Sequence, residues 1–270
     1  MKSPFRLWGL GDKEGTRVSL YKRRALQKAV LVCPGPSLNK IDIDLLKGPG
    51  KTVFGVNTSY PAVKPDVWIG SDNPRCFDRH LGLESFMKIT RYNNHNRVLQ
   101  GFDLWGSHAT YTVDVKKGPA ECQLYALDKE IDGIHWPRQT FPMALDIIVH
   151  MGFKDIYIAG CDLSNDKKDY FHEESLDKDN KRRNNNSHTK NYEWLKRAVE
   201  DWKRADIALY SLSPNSRINN IMPFVTVPEM NKEVERMLPE QGPLYNSIIL
   251  TDIRNKGGPK KGKVIMDKLK

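Results

Sequence analysis

Short, continuous apolar runs recur along the chain, each bounded by polar or proline-rich segments. Five of them indicate strands: AVLVC (29–33), TVFGV (52–56), DVWIG (66–70), DIYIAGC (155–161) and DIALYSL (206–212). Runs of this length without polar alternation are typical of parallel strands that are covered on both faces. The pattern therefore predicts a mostly parallel sheet at the centre of the molecule.

Two segments have helical periodicity instead. Apolar residues recur every three or four positions in 140–151, with Thr140 as the expected N-cap and Gly152 after the end. The second segment, 188–204, repeats apolar residues along one face. Helices that alternate with strands predict an α/β fold, a Rossmann-like sheet with helices on both faces.

The segment between the fourth strand and the second helix, 162–187, is polar and charged, with three consecutive asparagines. Long loops in compact domains are either disordered or functional. We expect this segment to be a lid loop over a site, because residues capable of chemistry flank it on both sides.

Charge divides the chain into three parts. Residues 1–30 and residues 254–270 each carry a net charge of +6, and the segment between them carries −2, which gives +10 for the 270 residues. We expect a basic N-terminal arm (1–28), a catalytic domain (29–227) and a C-terminal part with a helix or strand and a basic tail (228–270). The arms either solubilise the protein or hold a polyanion, such as nucleic acid or an acidic membrane surface.

Neither an 18-residue apolar run nor the apolar stretch of a signal peptide is present, so we expect a cytoplasmic protein. The four cysteines are widely spaced and form no CxxC pair. They predict neither a zinc site nor a disulfide framework.

Two polar motifs follow predicted strands. In CPGPSL (33–38), Gly35 lets the backbone turn sharply, so that successive N–H groups and the Ser37 hydroxyl could face a phosphate. Asp162, in AGCDLS, follows a later strand and could accept hydrogen bonds from a ribose or an acceptor hydroxyl. An ordinary turn and a turn-capping carboxylate are the alternatives.

His188 opens the second predicted helix on the same face as its apolar residues, so we expect it to point toward the sheet. A neutral imidazole there could take a proton from an attacking hydroxyl, and the helix N-terminus would disfavour its charged form. A satisfied core histidine is the alternative. The SPNS loop (213–216) suits recognition of a base or ribose edge, and equally an ordinary solvent loop.

Four features, taken in their order along the chain, resemble bacterial sialyltransferases of glycosyltransferase family 42. They are GPSL, the aspartate after a late strand, SHTKN, and PNS after the last strand. The resemblance extends over about residues 29–218, outside both basic arms. The GPSL-type turn also resembles the pterin pyrophosphokinases.

The family resemblance implies a Rossmann-like, GT-A-related fold and inverting sugar transfer from a CMP-activated donor, with no cofactor and no essential metal. It assigns His188 as the general base, Tyr170 to the departing phosphate and Asp162 to the catalytic set. The implied donor-binding residues are Gly35, Pro36, Ser37, Asn57, Asn73, Thr140, Ser213, Asn215 and Ser216.

Two departures from the family pattern leave the sugar open. The second tyrosine that stabilises the phosphate is Ser164 here, and Cys33 and Pro34 replace the usual Gly-Asn before GPSL. The sequence therefore predicts a CMP-linked sugar donor without predicting that the sugar is sialic acid.

We favour DNA as the acceptor, through a hydroxymethylated base in a bacteriophage that modifies its own genome, over a lipooligosaccharide glycan at a membrane surface. Two other functions stay open. One is a Mg²⁺-dependent pyrophosphokinase with Asp72 and Asp162 as ligands, and the other is a non-catalytic nucleic-acid binder. The oligomeric state is open as well.

Overall fold

The computed structural model describes residues 5–8, 16–20, 28–72, 77, 81, 84–91, 110–113, 115–116, 134–135, 139–163, 170 and 178–237. The strands are β1 (Phe5–Trp8), β2 (Thr16–Val18), β3 (Lys28–Val32), β4 (Lys51–Val56), β5 (Val67–Gly70), β6 (Met87–Arg91), β7 (Thr110–Val113), β8 (Val115–Lys116), β9 (Ile134–His135), β10 (Asp155–Ala159) and β11 (Ala208–Ser211). The helices are α1 (Thr140–His150), α2 (Lys178–Arg204) and α3 (Val227–Met237). No helix in this part of the chain is both long and apolar enough to cross a membrane.

Nine of the described strands form one sheet in the order β11-β10-β3-β4-β5-β6-β7-β1-β2. Every neighbouring pair from β11 to β7 is parallel, and β1 and β2 extend that edge in antiparallel fashion. The apolar runs predicted as strands are β3, β4, β5, β10 and β11. The predicted mostly parallel α/β sheet is therefore confirmed.

Alternate residues of the central strands contribute to two hydrophobic cores. On β3, Ala29 and Leu31 pack on the face that α1 and α2 cover, while Val30 and Val32 face α3. This alternation follows from the two-residue period of a strand. It explains the continuous apolar runs, because both faces are covered by helices as predicted.

A partly buried charge network fastens α3 to the sheet. The Lys28 ammonium lies 2.5 Å from an Asp155 oxygen and 3.0 Å from a Glu233 oxygen on α3. The Tyr157 hydroxyl donates to the other Glu233 oxygen at 2.7 Å. The Lys28 side chain is only 5% exposed, so these partners replace the water that its charge has lost.

The charge pattern predicted that residues 1–28 form a basic arm, but the described part of this segment contributes to the fold. β1 and β2 belong to the central sheet, and the Phe5 side chain is fully buried with its ring centroid 5.5 Å from that of His150. The prediction failed because it followed net charge, whereas a few apolar residues between the basic ones suffice to fill a sheet edge. Residues 238–270, with the C-terminal basic tail, lie outside the described residues.

The segment predicted as a lid loop, 162–187, overlaps α2, which begins at Lys178 rather than at residue 188, and most of the rest of that segment lies outside the described residues. Asparagine is only a modestly poor helix former, and a helix that is already anchored by buried residues extends at little cost. Thr140 is also placed differently. Gln139 occupies the N-cap position of α1, and Thr140 is the first helical residue.

The strand order places a topological switch between β3 and β10. From β3 the chain proceeds through β4 to β7 on one side, and then returns to add β10 and β11 on the other. In open α/β sheets, ligands bind in the crevice outside the carboxyl ends of the strands at such a switch point. The topology thus indicates where a site should lie.

Candidate active site

A cavity of about 310 Å³ opens at the carboxyl ends of β3, β4, β5 and β10. Its walls are formed by the residues that follow these strands, by the start of α1 and by the first half of α2. The cavity therefore occupies the crevice that the strand order indicates.

The turn after β3 is pinned to the end of β10. Cys33 N–H donates to the Ala159 carbonyl at 2.8 Å, and Gly35 N–H donates to the Gly160 carbonyl at 2.7 Å. Ser37 N–H donates to Asp162 Oδ2 at 2.9 Å. One Asp162 oxygen thus holds the turn in place, which is the structural role that the sequence left as an alternative.

The predicted phosphate cradle of N–H groups is wrong for this turn. The N–H groups of Cys33, Gly35, Ser37 and Leu38 all donate within the protein, and the two prolines between them have none. Pro34 has no N–H to offer a ligand and stiffens the turn. A bound phosphate would need its donors from elsewhere in the cavity.

Two glycines allow this close packing. A Cβ on Gly35 would lie 2.3 Å from the Gly160 carbonyl oxygen, and one on Gly160 would lie 2.1 Å from the Cys33 carbonyl oxygen. Gly160 also has a φ of +67°, in the left-handed region that favours glycine. The turn and the end of β10 therefore form one backbone-to-backbone seam beneath the cavity.

The thiols of Cys33 and Cys161 meet at this seam, and both residues line the cavity. A hydrogen bond with Cys33, together with burial, raises the pKa of the Cys161 thiol well above its ordinary value. Cys161 is accordingly a neutral wall of the cavity and a poor nucleophile.

The first half of α2 presents a polar stripe to the cavity, made of Asn184, Ser187, His188 and Asn191. Their spacing of three and four residues puts them on one helix face. The same face continues toward the C-terminus as buried apolar residues, including Leu195 and Trp202. The helix is thus oriented by its apolar half, which aims the polar stripe at the site.

His188 lies in the cavity wall and is half-buried. It does not open the helix, however, since it comes ten residues after Lys178. The expected influence of the helix N-terminus on its charge is therefore wrong, because such effects fall off within the first turn.

Tyr170 is brought to the same place from outside the helices. Asn184 Nδ2 donates to the Tyr170 hydroxyl oxygen at 3.2 Å, one helical turn from His188. The Tyr170 hydroxyl oxygen accepts in this bond, which fixes the phenol beside α2. The His188 imidazole and the Tyr170 phenol consequently line one cavity.

The opposite wall comes from the ends of β4 and β5. Asn57 has a φ of +50°, and its carbonyl accepts from Trp68 Nε1 at 2.8 Å. Its carboxamide oxygen is buried without a partner among the described residues. The hydroxyls of Ser71 and Thr140 are 2.6 Å apart, which joins this wall to the start of α1.

The SPNS loop supports the site from behind rather than lining the cavity. Ser216 donates to the Cys161 carbonyl at 2.7 Å and caps a short 3₁₀ turn by accepting from Ile218 N–H. Ser213 is fully buried, and the exposed Asn215 lines a separate depression beside Phe224. The donor-binding role implied for this loop thus has no counterpart in the main cavity.

Of the predicted residues, the cavity brings together Gly35, Pro36, Asn57, Thr140, Asp162, Tyr170 and His188. Ser37 is buried behind the turn, and Asn73 lies outside the described residues. Sequence reasoning gave no role to Ser71, Gln139 and Asn184, nor to Ser187 and Asn191 of the SHTKN motif. Continuing the helical spacing of His188 in both directions would have found the last three.

Carboxylates for a metal are sparse in this cavity. Asp72 and Asp162 both line it, but no cluster of three or more His, Cys, Asp or Glu side chains suited to a metal occurs among the described residues. The pyrophosphokinase alternative would need its remaining ligands from water, from the substrate or from the rest of the chain.

No protein-family model matches the chain, and no curated protein matches it. Solved structures do. The sialyltransferase CstII from Campylobacter jejuni, in complex with the substrate analogue CMP-3FNeuAc, is 19% identical, with 75% of this chain and 88% of that chain covered and a TM-score of 0.46. The neighbours are bacterial sialyltransferases.

The monofunctional α-2,3-sialyltransferase Cst-I from Campylobacter jejuni is 15% identical, with 80% of this chain and 86% of that chain covered and a TM-score of 0.43. The resemblance that the motifs predicted therefore recurs among solved structures. At these identities the likeness concerns the fold, and the functional proposal has to come from the cavity.

Proposed function

We propose that the chain is an inverting glycosyltransferase that takes a sugar from a CMP-activated donor, with His188 as the general base. The observation that carries the proposal is the meeting of His188, Tyr170 and Asp162 in one cavity at the topological switch. A half-buried imidazole and a phenol that line one cavity can supply the proton acceptor and a hydrogen-bond donor to the departing phosphate in a single displacement.

In the proposed reaction, His188 takes the proton from the acceptor hydroxyl as its oxygen attacks the anomeric carbon. The bond between that carbon and the phosphate oxygen breaks, and CMP leaves. Tyr170 donates a hydrogen bond to the departing phosphate, with its orientation set by Asn184. Gly35, Pro36, Asn57 and Thr140 shape the donor pocket.

Transfer assays with a panel of CMP-linked sugars test the proposal. His188→Ala is expected to lower kcat by about 10²- to 10⁴-fold, the usual contribution of a general base, while the thermal stability stays near wild type. Thr189→Ala, the exposed neighbour on α2, is the matched control and should retain full activity. Undiminished transfer by His188→Ala would contradict the assignment of the base.

Chelation separates the proposal from the pyrophosphokinase alternative. Activity that survives EDTA is expected, because His188 and Tyr170 can supply the proton transfers without a metal. Complete loss of activity in EDTA, with recovery in Mg²⁺, would favour a phosphotransfer enzyme that uses Asp72 and Asp162.

The acceptor stays a prediction. The expectation of DNA came from two basic arms, but the described part of the first arm forms β1 and β2 at a sheet edge. Competition between hydroxymethylated duplex DNA and oligosaccharides for the same CMP-sugar decides between the two acceptors. The cytoplasmic location likewise stays a prediction.

A further inference from the structure

Asn191, the last residue of the SHTKN motif, lines the cavity, and the proposed mechanism gives it no task. It follows His188 by three residues on the polar stripe of α2 and lines the same cavity. Its side chain is 8% exposed, and its carboxamide oxygen has no hydrogen-bond partner among the described residues. Such an unpaired buried amide calls for an explanation.

A buried amide without partners is unfavourable in the empty protein and becomes favourable when a ligand completes its hydrogen bonds. The terminal carboxamide can present either its oxygen or its nitrogen to the cavity by rotation about Cβ–Cγ. A hydroxyl group, which both donates and accepts, complements either orientation. Asn191 is therefore suited to a ligand rich in hydroxyl groups.

Asn57 provides a second, independent observation on the opposite wall. Its carboxamide oxygen is also buried without a partner among the residues described, and it too lines the cavity. Two unpaired carboxamide oxygens in a cavity of about 310 Å³ match the glycosyl part of a sugar nucleotide, which carries several hydroxyl donors. A purely apolar ligand would leave both unpaired.

Depth within the cavity separates the donor sugar from the acceptor. Ser187 and His188 are half-buried, whereas Asn191, one turn further along α2, is buried. A donor that must be kept from water occupies the deep end, and the acceptor then approaches from the open end. We infer that Asn191 binds a hydroxyl group of the CMP-activated sugar, an assignment that rests on the proposed function.

Asn191→Leu tests this inference, with CMP-3FNeuAc and CMP as probes in calorimetric titration and thermal denaturation. Leucine has the same number and branching of side-chain heavy atoms as asparagine and removes the unpaired carboxamide oxygen, so the Tm of the unliganded protein should be unchanged or higher. The Kd for CMP-3FNeuAc should rise about 10- to 100-fold, and the Kd for CMP, which lacks the sugar, by less than about threefold.

Two variants sharpen the comparison. Asn191→Gln keeps the carboxamide and should recover part of the affinity for CMP-3FNeuAc. Asn186→Leu makes the same chemical change on the exposed face of α2 and should bind both probes as the wild type does.

Wild-type affinity of Asn191→Leu for CMP-3FNeuAc would overturn the inference while the proposed function survives. A lowered Tm with equal weakening of both probes would show a structural role and overturn it as well. If Asn191→Leu and Asn191→Ala both fail to fold, Asn191 is structural. Should the wild type bind neither probe, the proposed function fails, and this inference fails with it.

Discussion

Replacing Gly35 with alanine adds one methyl group at the seam between the turn after β3 and the end of β10. The Cβ would lie 2.3 Å from the Gly160 carbonyl oxygen and 2.6 Å from Asp162 Oδ2, whereas Cβ atoms essentially never come within 3.0 Å of a neighbour. Gly35 has φ −69° and ψ 158°, which alanine adopts readily. The whole effect is therefore steric.

Relief of this clash has to separate the turn from β10. Overpacking of this kind costs about 1–3 kcal/mol. The separation also weakens the Gly35 N–H bond to Gly160, worth about 1 kcal/mol, and the Ser37 N–H bond to the Asp162 carboxylate, worth about 1.5–3 kcal/mol. Since these contributions overlap, Gly35→Ala should lower the free energy of unfolding by about 3–5 kcal/mol.

Urea denaturation measures the loss of stability, and titration with CMP measures the effect on the site. Gly48→Ala is the matched control, because its Cβ would meet nothing closer than Lys51 Cε at 3.6 Å. Its positive φ of +134° costs stability through the backbone alone and should leave CMP binding intact. A Gly35→Ala variant with wild-type stability and binding would refute the account of the seam.

Three further predictions concern the remainder of the fold. Lys28→Met leaves Asp155 and Glu233 unpaired and should lower the free energy of unfolding, measured in urea, by about 1–3 kcal/mol. This loss is smaller than for a fully buried ion pair because the Glu233 side chain is 45% exposed. Burial lowers the pKa of Lys28, but its bonds to Asp155 and Glu233 raise the pKa more, so the net pKa lies above 10.5. The stabilisation that the Lys28 ammonium provides is therefore present below pH 10.5 and is lost as the pH rises through the pKa of the folded protein. Burial raises the pKa of Glu233, but the hydrogen bonds from Tyr157 and Lys28 lower the pKa more, so the net pKa lies below 4.5. The stabilisation that the Glu233 carboxylate provides is therefore present above pH 4.5 and is lost as the pH falls through the pKa of the folded protein. Urea midpoints measured across pH should therefore decline at both extremes for the wild type, and a Lys28→Met variant with the same alkaline decline would contradict the role of the ammonium. Thr140→Val removes the buried hydroxyl pair with Ser71 and should cost about 1 kcal/mol by the same measurement, and no loss would show that the pair does not join the two walls.

The central strands could be predicted because their apolar runs are continuous and short. β3 and β10 each bury residues on both faces, so the sequence pattern and the structural requirement coincide. The strand order could not be obtained this way. It depends on contacts between segments more than a hundred residues apart, such as Ala29 beside Ile156, which no local pattern records.

The cavity was only partly predictable for similar reasons. Asp162 and His188 were identified because one follows a strand and the other lies on an apolar helix face. Asparagines favour turns locally, which predicts a loop for the polar half of α2, whereas this half continues the helix that the buried apolar half anchors. The N–H groups of the GPSL turn donate hydrogen bonds to Gly160 and Asp162, which lie far away in sequence, so no local pattern could predict them.

Thermal denaturation with CMP, UDP, GDP and ATP–Mg²⁺ tests most directly whether this cavity is a CMP-sugar site. A ligand present at 100 times its Kd stabilises the folded state by about 2.7 kcal/mol. For a domain of this size that corresponds to a rise in Tm of about 5–10 °C. The account predicts this rise with CMP and little change with the other nucleotides. A rise with ATP–Mg²⁺ and none with CMP would contradict it.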